Sequence, residues 1–262
     1  MKKMRILVLI MISVLFVSNI IAGEIRIVTT TEAPTNYISE GKVTGTSTDI
    51  VNEIKKYLNE DAKIEVFPWA RSYDIAKRES NVLVYTCGKT QERIDLGFTF
   101  LGPVITRDHI LYKKKGNNIT INKIEDIRKQ NFTVGALRGS WRGKYFKNEN
   151  ITVEETNTHR SNAKKLFADR IDLWVLSDIE APSVMKEAGF NMSDLEIAFV
   201  FKTSPSYMMF SKNTSPKIIA KWESAFEKIK TTDFYDNATK KWSDILGMDI
   251  AYSSEKGFYI KK

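Results

Sequence analysis

Short apolar runs rich in β-branched residues alternate with stretches of helical period along most of the chain, and one long extended segment, residues 98–115, interrupts them. That rhythm constrains the fold more than any other feature. Parallel strands need a crossover between them, so strands separated by helices form βαβ units around a mostly parallel sheet. Before the interruption, strands are predicted at residues 24–30, 63–67 and 82–86, and helices at 49–59 and 69–78. Thr48 or Asp49 is expected to cap the first of these helices. Residues 31–48 read as loop from their Pro and Gly. The extended segment has no helical period and can carry the chain from one domain into another. After it, strands are predicted at 132–137, 151–155, 172–176, 195–201 and 207–210, and helices at 124–129, 140–146, 160–168, 178–188, 216–230 and 234–242. Residues beyond Gly247 read as a weakly ordered tail.

Two such alternations about one extended segment make a two-lobed plan. Open α/β sheets take ligands at the carboxyl ends of their strands, so two facing sheets would form a cleft with a wall on each lobe. The strand at 82–86 ends in Thr86, Cys87 and Gly88, with Arg93 just beyond. Hydroxyl and backbone N–H donors beside a guanidinium suit an anionic group, and the planar fork of Arg can hold a carboxylate bidentately. Taken alone, the stretch also fits a plain βα-loop whose Arg pairs with a neighbouring Asp or Glu.

Charge and rare residues narrow the function. The opening MKKMRILVLIMISVLFVSNIIAG has a basic start, an apolar run and small residues, the pattern of a secretory signal peptide over residues 1–22. The net charge of +8 falls to +5 once that segment, with three basic and no acidic residues, is removed. No basic stripe or known module concentrates this charge, so nucleic acid is not an expected partner. The one cysteine, Cys87, excludes an internal disulfide and is expected as a small buried residue at a strand end. His109 and His159 are the only histidines, and neither lies in a metal-ligand or triad spacing. There is no P-loop and no G-x-G-x-x-G, and Gly139-Ser140-Trp141-Arg142-Gly143 lacks the residue a nucleophile elbow needs between its first Gly and the Ser. No catalytic residue, metal or cofactor is expected.

From Thr90-Gln91-Glu92-Arg93 onward, with Phe98-Thr99 ahead of the extended segment, the chain resembles the bacterial extracellular solute-binding proteins of family 3, the polar amino acid type. Further matching stretches follow in order: Val134-Gly135-Ala136-Leu137-Arg138-Gly139-Ser140, Arg170-Ile171-Asp172-Leu173-Trp174, Ser177-Asp178, and Phe234-Tyr235-Asp236 through Lys241-Trp242. The resemblance spans nearly all of residues 24–247. It implies an α/β fold of the type II periplasmic-binding-protein kind. Each lobe would be a mostly parallel sheet flanked by helices, and two hinge strands would join them. Lobe 1 would comprise residues 24–107 plus 206–262 and lobe 2 residues 108–205, closing by hinge motion on a ligand. The implied protein is a periplasmic monomer that binds a small carboxylated solute, an amino acid or related compound, without chemistry. It would deliver that solute to a membrane ABC permease; a membrane sensor partner, or an exported enzyme of dehydratase or lyase type on the same fold, are the alternatives.

The resemblance also assigns residues. Arg93 would clamp the ligand carboxylate, with Thr86 and the backbone at Gly88 on the same wall and Trp69 as an aromatic platform. Ser140 would present a helix N-terminus from the other wall. Asp178, or Ser177, would meet the ligand's amino group. Glu32, Arg71 and Trp141 depart from the family pattern near the expected cleft, with Arg142 beside Trp141, and are read as selecting the ligand. Each has a plainer reading: Trp69 as core, Glu32 and Arg71 as surface charges, Ser140 and Asp178 as helix caps. Trp174 and Trp222 sit inside apolar patterns and are expected in the core.

Overall fold

The computed structural model describes residues 24–261, and the expected signal peptide lies outside them. In chain order the strands are β1 (Arg26–Thr29), β2 (Tyr37–Ser39), β3 (Lys42–Thr44), β4 (Ile64–Val66), β5 (Val82–Gly88), β6 (Thr99–Lys114), β7 (Val134–Leu137), β8 (Val153–Thr156), β9 (Leu173–Ser177), β10 (Leu195–Phe210), β11 (Ile250–Ser253) and β12 (Gly257–Ile260). The helices are α1 (Thr46–Leu58), α2 (Trp69–Arg78), α3 (Gln91–Asp95), α4 (Ile124–Lys129), α5 (Trp141–Asn148), α6 (His159–Phe167), α7 (Ala181–Ala188), α8 (Pro216–Ile229) and α9 (Phe234–Leu246).

The main sheet runs β4-β1-β5-β10-β6-β9-β7-β8. Strands β4, β1 and β5 pair in parallel, and so do β9, β7 and β8. Between these trios lie the two long strands β6 and β10, antiparallel to each other and to their outer neighbours. This is the two-lobed plan of two parallel sheets hung on a pair of crossing strands. From Arg107↔Ser204 to Asp108↔Thr203 the crossing strands pair with each other alone, because β5 reaches only Ser206 and β9 starts opposite His109.

Both faces of each trio are buried, which explains why the strands read as continuous apolar runs instead of alternating ones. On β1 and β5, Ile27 and Leu83 face the core under α1 and α8, with Ile50, Ile54, Trp222 and Phe226. Val28 and Val84 point the other way, onto Trp69 and Tyr73 of α2. On β9, Trp174 and Leu176 face α6 and α7, while Leu173 and Val175 pack with Phe146 of α5. Trp174 and Trp222 are core residues, as expected.

Four local expectations need correction. Helix α1 starts before Thr48 and Asp49, so neither is its cap. The N–H groups of Thr46, Ser47 and Thr48 donate to Pro34 O and Thr35 O at 3.0, 3.0 and 3.3 Å, so loop carbonyls satisfy the helix's first donors. That approach requires Gly45, where an added Cβ would lie 2.2 Å from Thr35 O. Residues 31–48 are not all loop, since β2 and β3 form a hairpin within them. The strands expected at 195–201 and 207–210 are one strand, β10, running through Pro205. At Pro205 only β6 lies alongside, so the missing N–H breaks no ladder on a second side. Finally, residues after Gly247 form the β11–β12 hairpin rather than a loose tail. Phe258 is fully buried beside Tyr235 and Tyr252, and it pairs with Ile105 of β6.

Candidate functional site

The carboxyl end of β5 bends sharply. Thr86 has φ of 65°, a left-handed conformation uncommon for a β-branched residue. Its hydroxyl is buried without a hydrogen-bond partner. Thr90 then caps α3, its side chain accepting from the Arg93 N–H at 3.3 Å. This turn sends the Arg93 side chain back under the end of β5, where Nη1 donates to Gly88 O at 2.5 Å. The guanidinium carbon lies 5.0 Å from the ring centre of Trp69 and 5.1 Å from that of Tyr73. Arg93 is only 3% exposed. The neighbouring carboxylates are engaged elsewhere: Glu92 accepts from Lys144 and Asp95 from Gln91. Arg93 thus makes no ion pair among the described residues. A buried cation without an anion is costly unless something supplies one.

The opposite wall is the start of α5. Ser140 caps it, accepting from the Gly143 N–H at 3.2 Å. The walls touch. Trp69 Nε1 donates to Gly139 O at 3.1 Å, Lys144 meets Glu92 at 2.5 Å, and a Cβ added at Gly88 would lie 3.0 Å from the Trp141 ring. Between them is a cavity of about 350 Å³ lined by Glu32, Trp69, Thr86, Gly88, Arg93, Arg107, Leu137, Ser140, Trp141 and Arg142.

Beside this cavity sits a buried charge cluster. Glu180, 1% exposed and just before α7, is its hub. One carboxylate oxygen accepts from Arg107 Nη1. The other accepts from Arg142 Nη2 at 3.1 Å and from the Ser177 N–H and Oγ at 3.2 and 2.6 Å. Arg107 Nη2 also donates to Ser206 Oγ at 2.9 Å, and Arg107 Nη1 lies 3.6 Å from Glu32. Arg142 Nε donates to His109 Nδ1 at 3.0 Å, which leaves the imidazole proton on Nε2, 2.9 Å from Ser204 Oγ. The two buried carboxyls are driven apart. Burial opposes ionisation at Glu180, but Arg107 and Arg142 hold its carboxyl well below the usual range. Burial, then the charge of Glu180, pushes Glu32 up to about 7. Burial, followed by the charges of Arg142 and Arg107, holds His109 far below the ordinary histidine range, so it stays neutral.

The cavity brings together seven of the residues singled out in the sequence: Arg93, Thr86, Gly88, Trp69, Glu32, Ser140 and Trp141. Two fall elsewhere. Arg71 is exposed and stacks on Phe67 at 4.4 Å. Asp178 accepts from the Asp108 and Ile179 N–H groups at 3.2 and 2.8 Å, and it lines a separate cavity with Thr203 and Lys256. It is not the cap of α7 either, which begins after Glu180. Sequence reasoning passed over Arg107 and Glu180 and gave Arg142 no role. The signals were there: Arg107 is a charge inside an apolar extended run, and Glu180 sits between a strand end and a helix. Cys87 is 1% exposed and burial pushes its thiol up to about 12, which leaves little thiolate for nucleophilic chemistry. Among the described residues no group of three or more His, Cys, Asp or Glu is placed to hold a metal ion.

The model of the bacterial extracellular solute-binding proteins, family 3, matches residues 25–245. No curated protein matches the chain in sequence. Among solved structures, a mutant of ArgBP from T. maritima superposes with a TM-score of 0.72 at 18% identity, covering 84% of this chain and 95% of that one. A substrate-binding protein of an ABC uptake transporter from Streptococcus pneumoniae, with bound histidine, gives a TM-score of 0.72 at 18% identity over 87% and 94% of the two chains. A histidine kinase sensor domain similar to periplasmic binding proteins gives 0.73 at 14% identity over 84% and 96%.

Proposed function

The chain belongs to the bacterial extracellular solute-binding proteins, family 3, and from that premise we propose that it is a periplasmic receptor for a small carboxylated solute, an amino acid or a close relative. Arg93 anchors the carboxylate, assisted by Thr86 and the backbone at Gly88, while Trp69 flanks the site and Ser140 and Trp141 close it from the second lobe. The observation that carries this reading is the buried Arg93, which has no anion of its own and lines a cavity between two walls. The lobes are residues 24–107 plus 206–262 and residues 108–205. The stretch where β6 and β10 pair only with each other supports a hinge at these limits. Residues 1–22 direct export and are removed, and the monomeric receptor hands its ligand to a membrane ABC permease. No helix among the described residues is long and apolar enough to cross a membrane.

The same cleft would serve a sensor, and the fold shared with a histidine kinase sensor domain favours that as the second reading. Catalysis is not part of the proposal. The test is thermal unfolding with amino acids, dicarboxylates and neutral polar solutes. Micromolar binding corresponds to about 8 kcal/mol. A true ligand at 100 times its Kd adds about 2.7 kcal/mol of stability, which is about 5–11 °C for a chain of this size. At least one carboxylated solute should produce such a shift. No shift with any of them would overturn the reading.

A further inference from the structure

The cleft is rich in donors and poor in acceptors. An amino acid brings an ammonium group as well as a carboxylate, and a buried ammonium needs acceptors. The acidic groups near this cavity are already engaged. Glu180 accepts four hydrogen bonds, from Arg107, Arg142 and both the N–H and Oγ of Ser177. Asp178 faces a separate cavity. Glu32 lies against Arg107 at 3.6 Å. The backbone carbonyls at the rim are occupied as well, Gly88 O by Arg93 and Gly139 O by Trp69.

Donors, in contrast, are left over. Arg93 has one nitrogen bonded to Gly88 O and no carboxylate partner. Arg107 Nε and Thr86 Oγ1 are buried with no hydrogen-bond partner, and Arg107 and Thr86 are 3% and 6% exposed. Both residues line the cavity. The N-terminus of α5, whose first N–H groups have no intrahelical acceptor, opens at Ser140 and Trp141 on the far wall. The guanidiniums of Arg93, Arg107 and Arg142 face the carboxyls of Glu32 and Glu180, so the site keeps one positive charge with both acids ionised. It keeps two when Glu32 is neutral, the form that burial and Glu180 favour.

We propose that the cleft takes a small dicarboxylate without an ammonium group, one carboxylate on Arg93 and Thr86 and the second toward Arg107 and the start of α5. This rests on the receptor reading above and narrows its ligand class. The solute bridges the two lobes through groups of one sign, and Glu32 relieves the excess charge instead of receiving an amine.

Calorimetric titration of the full chain with succinate, glutarate and adipate, each against its 2-amino counterpart (L-aspartate, L-glutamate, L-2-aminoadipate), tests this. Each pair differs only by the ammonium. The best dicarboxylate should bind at least about tenfold more tightly than its amino counterpart, a difference of about 1.4 kcal/mol. Equal or tighter binding of the amino acid overturns the inference and leaves the receptor reading standing. Absence of binding by all three dicarboxylates also overturns it, and absence of binding by every carboxylated solute removes the receptor reading too. Glu32→Gln gives an independent readout. Dicarboxylate affinity should hold or rise, whereas a loss of about tenfold or more would mark Glu32 as an acceptor for the ligand and contradict the proposal.

Discussion

Replacing Glu180 with Gln should destabilise the protein more than any other single change in the cleft. The carboxylate is 1% exposed and is shared by Arg107, Arg142 and Ser177. An amide of the same shape keeps one acceptor oxygen. Its NH₂ group, however, faces either Arg107 or the Arg142–Ser177 side, so donor meets donor. Two buried guanidiniums are then left with only the nearby Glu32. Removing one partner of a buried ion pair costs about 3–5 kcal/mol, mostly because the remaining charge stays buried without compensation. At about 2–4 °C per kcal/mol for a chain of this size, Tm should fall by about 6–20 °C. Thermal melts without ligand measure it. Adding Arg142→Met to Glu180→Gln should recover part of the loss, since it removes one of the stranded cations; the double-mutant cycle reports the coupling. A loss below about 1 kcal/mol would refute the reasoning, because it would mean that water or rearrangement compensates both cations.

Three further outcomes follow from the same geometry. Gly88→Ala places a methyl 3.0 Å from the Trp141 ring, so it should hinder closure of the walls and weaken ligand binding about tenfold, with little effect on the unliganded melt. Phe258→Ala should cost about 3–5 kcal/mol in chemical denaturation, a cost expected of a core aromatic but not of a loose tail. His159 is buried with neither ring nitrogen hydrogen-bonded, and burial holds it at about 4, below the ordinary 6.5. The unfolded chain therefore binds more protons between those values. The stability held above about pH 6.5 is lost as pH falls toward 4, by up to about 1.4 kcal/mol per pH unit. Glu32 acts in the opposite sense over its own window, so the comparison is of pH–stability curves for the parent and His159→Phe: the variant's should be flatter between pH 6.5 and 4.

Much of the fold was legible because it depends on runs of residues. The β-branched stretches at β5, β7 and β9 and the apolar stripe of α8 are local patterns, and each element lies within a few residues of its expected place. The errors arise where distant chain takes over a local task. Thr48 looks like a cap, yet Pro34 O and Thr35 O do the capping from the preceding loop. Phe258 belongs to the core only because β12 meets β6 at Ile105. The site divides in the same way. Arg93 and Thr86 stand out beside a strand end, in one stretch of sequence. Glu180 acquires its role from Arg107 on a crossing strand and Arg142 on another helix, and no spacing in the sequence announces that meeting. Asp178 and Glu180 are two residues apart, and backbone N–H groups turn the first away while two guanidiniums draw in the second.

The central claim is that a buried, unpaired guanidinium anchors a carboxylated solute between two lobes. Calorimetric titration of the parent protein and of Arg93→Ala, with the solute giving the largest thermal shift, tests it most directly. Losing two charge-assisted hydrogen bonds at about 1.5–3 kcal/mol each should weaken binding by about a hundredfold or more. The variant's unliganded Tm should not fall, because the cation it removes has no ion-pair partner. Unchanged affinity in Arg93→Ala would contradict the account.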